Sequence, residues 1–92
     1  MISEPDNLED SNPRLKAAFL EVVENQLRDD TPPETRKTLA RLLADGISEE
    51  DARIFIAQAV AVEVWDTLRN KKPFDPLRYA RNLEALPEEP RA

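Results

Sequence analysis

The sequence predicts an all-α domain, and three observations predict it. Apolar residues recur every three or four positions in four separate stretches. Each stretch opens on a helix-start signal: Asn12-Pro13, Thr31-Pro32-Pro33-Glu34, Ser48-Glu49-Glu50-Asp51 and Asp75-Pro76. Strand signals are missing, since there are no alternating runs and Asp45-Gly46 falls between helical patterns rather than between strands. The predicted architecture is an up-down-up three-helix core, over about residues 13–28, 32–45 and 49–70, plus a short C-terminal helix over about residues 76–86.

The first helix follows an asparagine suited to capping and a proline suited to the first helical position. Leu15, Phe19, Val22, Val23 and Leu27 then share one face. Gln26 projects into that stripe, where it either finds a polar partner or extends toward water at the helix end. The second helix opens on a capping-box pattern, in which the Thr31 hydroxyl accepts from a backbone N–H and Glu34 reaches back. It carries Leu39, Leu42 and Leu43 and closes on Gly46, the sole glycine, with Ile47 placed to fold back on Leu42.

The third helix starts with Ser48 as cap and three acids in its first turn, and should be about 33 Å long at the standard rise. Ile54, Ala57, Ala61, Val64, Trp65 and Leu68 form its main apolar face, widened by Ile56 and Val60. Phe55 and Val62 sit off that face. A helix apolar nearly all round is the central one of its fold. The fourth helix carries Leu77, Tyr79, Ala80, Leu83 and Leu86 and stops at Pro87. Short links make neighbouring helices antiparallel, so the first and third are expected to run parallel. Tyr79 and Trp65 are expected to anchor the core, and Arg78 and Arg81 to be solvated.

The domain organisation read from the chain is a disordered acidic tail over residues 1–11, one helical domain over 12–87 and a polar tail over 88–92. Among 92 residues there is neither histidine nor cysteine. That removes zinc sites, Ser-His and Cys-His nucleophile pairs, haem ligation and iron–sulfur clusters together. No catalytic residue and no cofactor is assigned. The net charge of −6 argues against nucleic acid, which requires a basic patch. A helix-turn-helix reading of helices two and three fails on the same ground, because its recognition helix would meet phosphates with Glu49, Glu50 and Asp51. The basic cluster Arg69, Lys71 and Lys72 lies at a helix end, where cations complement exposed carbonyls. No segment reads as a signal peptide or a membrane span, and the lack of cysteine fits a reducing, cytoplasmic setting.

Asn12-Pro13, Leu15, Glu24, Gln26-Leu27, Pro32-Pro33, Leu42-Leu43, Gly46, Val64-Trp65 and the Pro73, Asp75, Tyr79 ending together resemble a family of small uncharacterised bacterial proteins, a domain of unknown function. The resemblance spans residues 12 to 86 and implies paired histidines at the positions held here by Lys16 and Leu20 and by Glu50 and Ile54. All four are replaced in this chain, so a metal site suggested by the family does not carry over. Were the first and third helices parallel, Lys16 would face Glu50, Leu20 would face Ile54 and Glu24 would face Gln58.

Two functional readings follow. The first is a non-enzymatic domain acting through protein–protein contact or homodimerisation, with Phe55 and Val62 as the interaction residues unless the fourth helix covers them. The alternative is a carboxylate-based divalent-metal or enzymatic bundle using Glu24, Glu50 and Glu63. Against it, Glu63 could simply share a narrow polar edge with Asp66.

Overall fold

The computed structural model describes residues 13–91, and over them the chain forms four helices and no strand. They are α1 (Pro13–Asp29), α2 (Pro33–Ala44), α3 (Glu49–Asn70) and α4 (Pro76–Ala85). The helix bounds agree with the sequence reading to within a residue or so. The acidic tail expected over residues 1–11 and the Asn12 cap lie outside the described residues.

Local chemistry accounts for most helix ends. Ser48 accepts from the Asp51 N–H at 3.1 Å, and Asp75 Oδ1 accepts from the N–H groups of Leu77 and Arg78, each at 3.1 Å. Gly46 adopts φ +92°, a left-handed conformation open to glycine without steric cost. This lets the Ile47 N–H return to the Leu42 carbonyl at 3.1 Å, and Ile47 packs against the core.

The capping box expected at Thr31 does not form. Pro32 occupies the cap position of α2 and makes no side-chain cap bond. Thr31 is committed to the helix before it instead. Asp30 turns left-handed at φ 52°, and the Thr31 N–H closes α1 on the Gln26 carbonyl at 3.1 Å. The Thr31 hydroxyl donates to the Asp29 carbonyl at 3.1 Å. One residue cannot serve both helix ends, and the end of α1 has it.

α3 packs against all three other helices. Ala52, Ile54, Phe55, Ile56, Ala57, Ala59, Val60 and Ala61 are buried on it. Phe19, Val23 and Leu27 come to them from α1, Leu42 from α2, and Tyr79 and Leu83 from α4, with Leu86 just beyond. The small alanines let neighbouring helices approach α3 on several sides, as its all-round apolar pattern requires.

The relative direction of α1 and α3 differs from the expectation. Glu24, late in α1, bonds to Arg53 near the start of α3. Phe19, earlier in α1, packs edge-to-face on Trp65 near the end of α3, with ring centroids 6.3 Å apart. The contacts therefore run in reverse order, and α1 crosses α3 in the antiparallel sense. The parallel pairing, and with it an up-down-up core, is not what these contacts describe. A short link obliges two helices to leave the same corner but does not fix the angle between them. The expected facing pairs Lys16–Glu50 and Glu24–Gln58 fall with the parallel pairing, and Glu24 meets Arg53 in place of Gln58.

Candidate functional site

A largely buried group of three charges joins α3 to α4. Glu63 is fully buried, and Arg78 grips both of its carboxylate oxygens, Nε to Oε2 at 2.7 Å and Nη2 to Oε1 at 2.9 Å. The same Nη2 reaches Asp66 at 2.9 Å. Glu63 Oε1 also accepts the Asp75 N–H at 2.9 Å, which fixes the residue that caps α4. The positions follow from helix geometry: Glu63 and Asp66 are one turn apart on α3, and Arg78 projects from the first turn of α4. Sequence reasoning placed Arg78 in solvent and Glu63 at a polar edge. The structure puts Glu63 inside, with Asp66 at the rim of the ion pair. The two acids hold Arg78 firmly protonated, chiefly through the hydrogen bonds from its guanidinium to Glu63 and then to Asp66. Asp66 is held below the usual carboxylate range by the Asn70 amide and by Arg78.

A second polar group links α1, α2 and α4. Gln26 Oε1 accepts from the Thr35 and Tyr79 hydroxyls, each at 2.7 Å. Gln26 is thus the partnered residue of the two alternatives, and Tyr79 is the core anchor that was expected. Burial pushes the Tyr79 hydroxyl above its ordinary pKa. Both lone pairs of one amide oxygen are used, so this group is a satisfied joint with no spare acceptor on that atom.

Arg41 on α2 closes the far end of α4, donating to the carbonyls of Leu83 and Leu86, each at 2.9 Å. A cation at a helix C-terminus complements its dipole as well as its orphan carbonyls. With Glu34, Lys37, Thr38 and Glu84 it lines a shallow groove between α2 and α4. Beyond α4 the chain turns back, and the Asn82 side chain pairs with both the N–H and the carbonyl of Arg91.

The three acids considered as metal ligands are not brought together. Glu24 is bonded to Arg53, Glu50 is exposed on the first turn of α3, and Glu63 is enclosed with Arg78. Among the described residues, no three side chains of the ligating types converge on a point.

The predicted contact residues are divided by the structure. Phe55 is only 5% exposed and belongs to the core, so it is not offered to a partner. Its position off the main face of α3 did not leave it uncovered, because α3 is enclosed on more sides than one apolar face implies. Val62 is half-buried. Trp65, expected in the core, is 44% exposed, with Phe19 meeting it from one side. Leu68 is 64% exposed one turn further on. Among the described residues, no helix is long and apolar enough to cross a membrane.

Comparison with protein-family models, with curated proteins and with solved structures gave no match.

Proposed function

We propose that this chain is a small non-enzymatic helical domain that works by contact, with a second copy of itself as the partner. The observation that carries the reading is the exposure of Trp65 and Leu68 on the later half of α3, on a helix whose other large apolar side chains are buried or half-buried. A tryptophan left open on a small domain with a filled core is the kind of anchor that interfaces use. Two-fold pairing is the commonest form such contacts take. The buried charges support the same reading from the other side. Glu63 is neutralised by arginine and spent on positioning α4, which leaves it no free oxygen for a substrate or a metal.

Membership of the small bacterial family that the sequence resembles, a cytoplasmic location and the lack of a nucleic-acid partner belong to the same proposal. The net charge of −6 is its support on the last point.

Sedimentation equilibrium over a range from micromolar to millimolar chain tests it. A mass rising from one chain toward two is expected, and Trp65→Ser with Leu68→Ser should hold the mass at one. A single-chain mass throughout overturns the reading. The competing carboxylate reading is tested by calorimetric titration with manganese, for which no heat is expected.

A further inference from the structure

Resting on that reading, we infer that two copies associate through α3 in an antiparallel, self-complementary pair. The seam is Asp51, Gln58, Val62, Trp65 and Arg69. With Phe55, these positions follow steps of four and three residues along α3, the spacing that keeps one stripe facing a second helix. Asp51, Trp65 and Arg69 are exposed, and Gln58 and Val62 are half-buried. The other helices leave part of this stripe open, although the chain covers Phe55 and Phe19 packs on Trp65. α1 takes Arg53 and one side of Trp65, and α4 takes Glu63 and Asp66.

The stripe is a palindrome about Val60. Asp51 and Arg69 are equidistant from it, as are Gln58 and Val62, and as are Phe55 and Trp65. An isologous interface demands this symmetry, since residue i must meet residue j while j meets i. Antiparallel pairing on that centre sets Asp51 against the partner's Arg69, twice. It brings Trp65 level with the partner's Phe55, whose side chain is already covered within its own chain.

Charge selects the direction. The start of α3 carries Glu49, Glu50 and Asp51, and its end carries Arg69, followed by Lys71 and Lys72. A parallel pair would set three acids against three acids. The antiparallel pair sets acids against bases, and like charges are costly in register where opposite charges specify it. The apolar part of the seam is small, so the pair should be weak and sensitive to salt.

The test is a charge swap read by sedimentation equilibrium on the full chain. Asp51→Arg alone and Arg69→Asp alone should each weaken self-association at least tenfold. An equimolar mixture of the two variants should restore it, because the mixed interface then holds two Arg–Asp pairs, where each variant paired with itself holds two like-charge pairs. Circular dichroism of each variant reports that the helices remain. Because the chain has no cysteine, Gln58→Cys and Val62→Cys variants give a second measurement. Mixed under oxidation, they should cross-link to each other faster than either does to itself. Dimers that form equally well in the single charge variants, or cysteines that pair without preference, overturn the antiparallel seam while leaving the contact reading intact. A chain that never dimerises overturns both.

Discussion

Arg78 closes over the fully buried carboxylate of Glu63 through two parallel hydrogen bonds, and a third bond from the same guanidinium ties in Asp66. The pair is worth more as a joint than as a source of energy. Removing two ions from water costs several kcal/mol, and their attraction roughly repays it. Removing one partner leaves the other charge stranded. Arg78→Met is therefore expected to destabilise the domain by about 3–5 kcal/mol. Glu63→Gln keeps an acceptor for the Asp75 N–H and should cost less. The double variant should recover part of the loss, with a coupling of about 1–3 kcal/mol in a urea-unfolding cycle. Additive losses would show that the two side chains do not act as a unit.

Asp66 gives that joint a dependence on acid. The Asn70 amide and Arg78 both favour its charged form, so its folded pKa lies below the unfolded value of about 3.9. Its stabilisation is complete above the unfolded pKa and is lost as pH falls through the depressed value. Stability measured by urea should therefore drop from about pH 4 downward. Asp66→Asn should flatten that limb and leave the neutral range nearly level.

At the alkaline end Tyr79 takes over. Burial raises its pKa above the ordinary value of about 10. The unfolded chain ionises first, so stability is intact below about pH 10 and falls as pH climbs toward the folded value. As the only tyrosine, Tyr79 can be followed directly by tyrosinate absorbance, which should appear together with loss of helix. Tyr79→Phe should remove the alkaline limb. It should also cost about 1–2 kcal/mol at neutral pH, because Gln26 Oε1 loses one of its two donors.

The helices were legible because their signals are local. Ser48, Asp75, Gly46 and the prolines act within a few residues of themselves, and each of these ends stands within a residue or so of where the sequence places it. Direction was not legible. Periodicity names the face of a helix but not which way its neighbour runs, and Phe19 against Trp65 and Glu24 against Arg53 are contacts across the fold. Glu63 shows the same limit. Its burial depends on Arg78, fifteen residues on and across a link, and no local rule joins the two. The Asp75-Pro76 cap was a partial signal, since it places Arg78 in the first turn of a helix next to the end of α3. Exposure shows a related limit: Phe55 lies off the main apolar face of α3, yet it is covered, while Trp65 on that face stays open.

Thr31 and Ser48 separate a motif from its use. Both look like caps in the sequence, but only the Ser48 hydroxyl accepts from its helix, at Asp51 N–H. The exposed Thr31 hydroxyl donates backward to Asp29, in reach of water that can replace the bond. Ser48→Ala is therefore expected to cost about 1 kcal/mol, as cap removal does, whereas Thr31→Ala should cost less than about 0.5 kcal/mol. The residue before Thr31 matters more to that corner. Asp30 holds a left-handed conformation at φ 52°, which costs a non-glycine residue about 1 kcal/mol, and its ion pair with Arg36 is long and exposed. Asp30→Gly should accordingly raise the urea midpoint, while Thr31→Ala leaves it nearly unchanged. If the order were reversed, with Thr31→Ala the costlier change, the hydroxyl would be capping α2 and the corner would be built as the sequence pattern suggests.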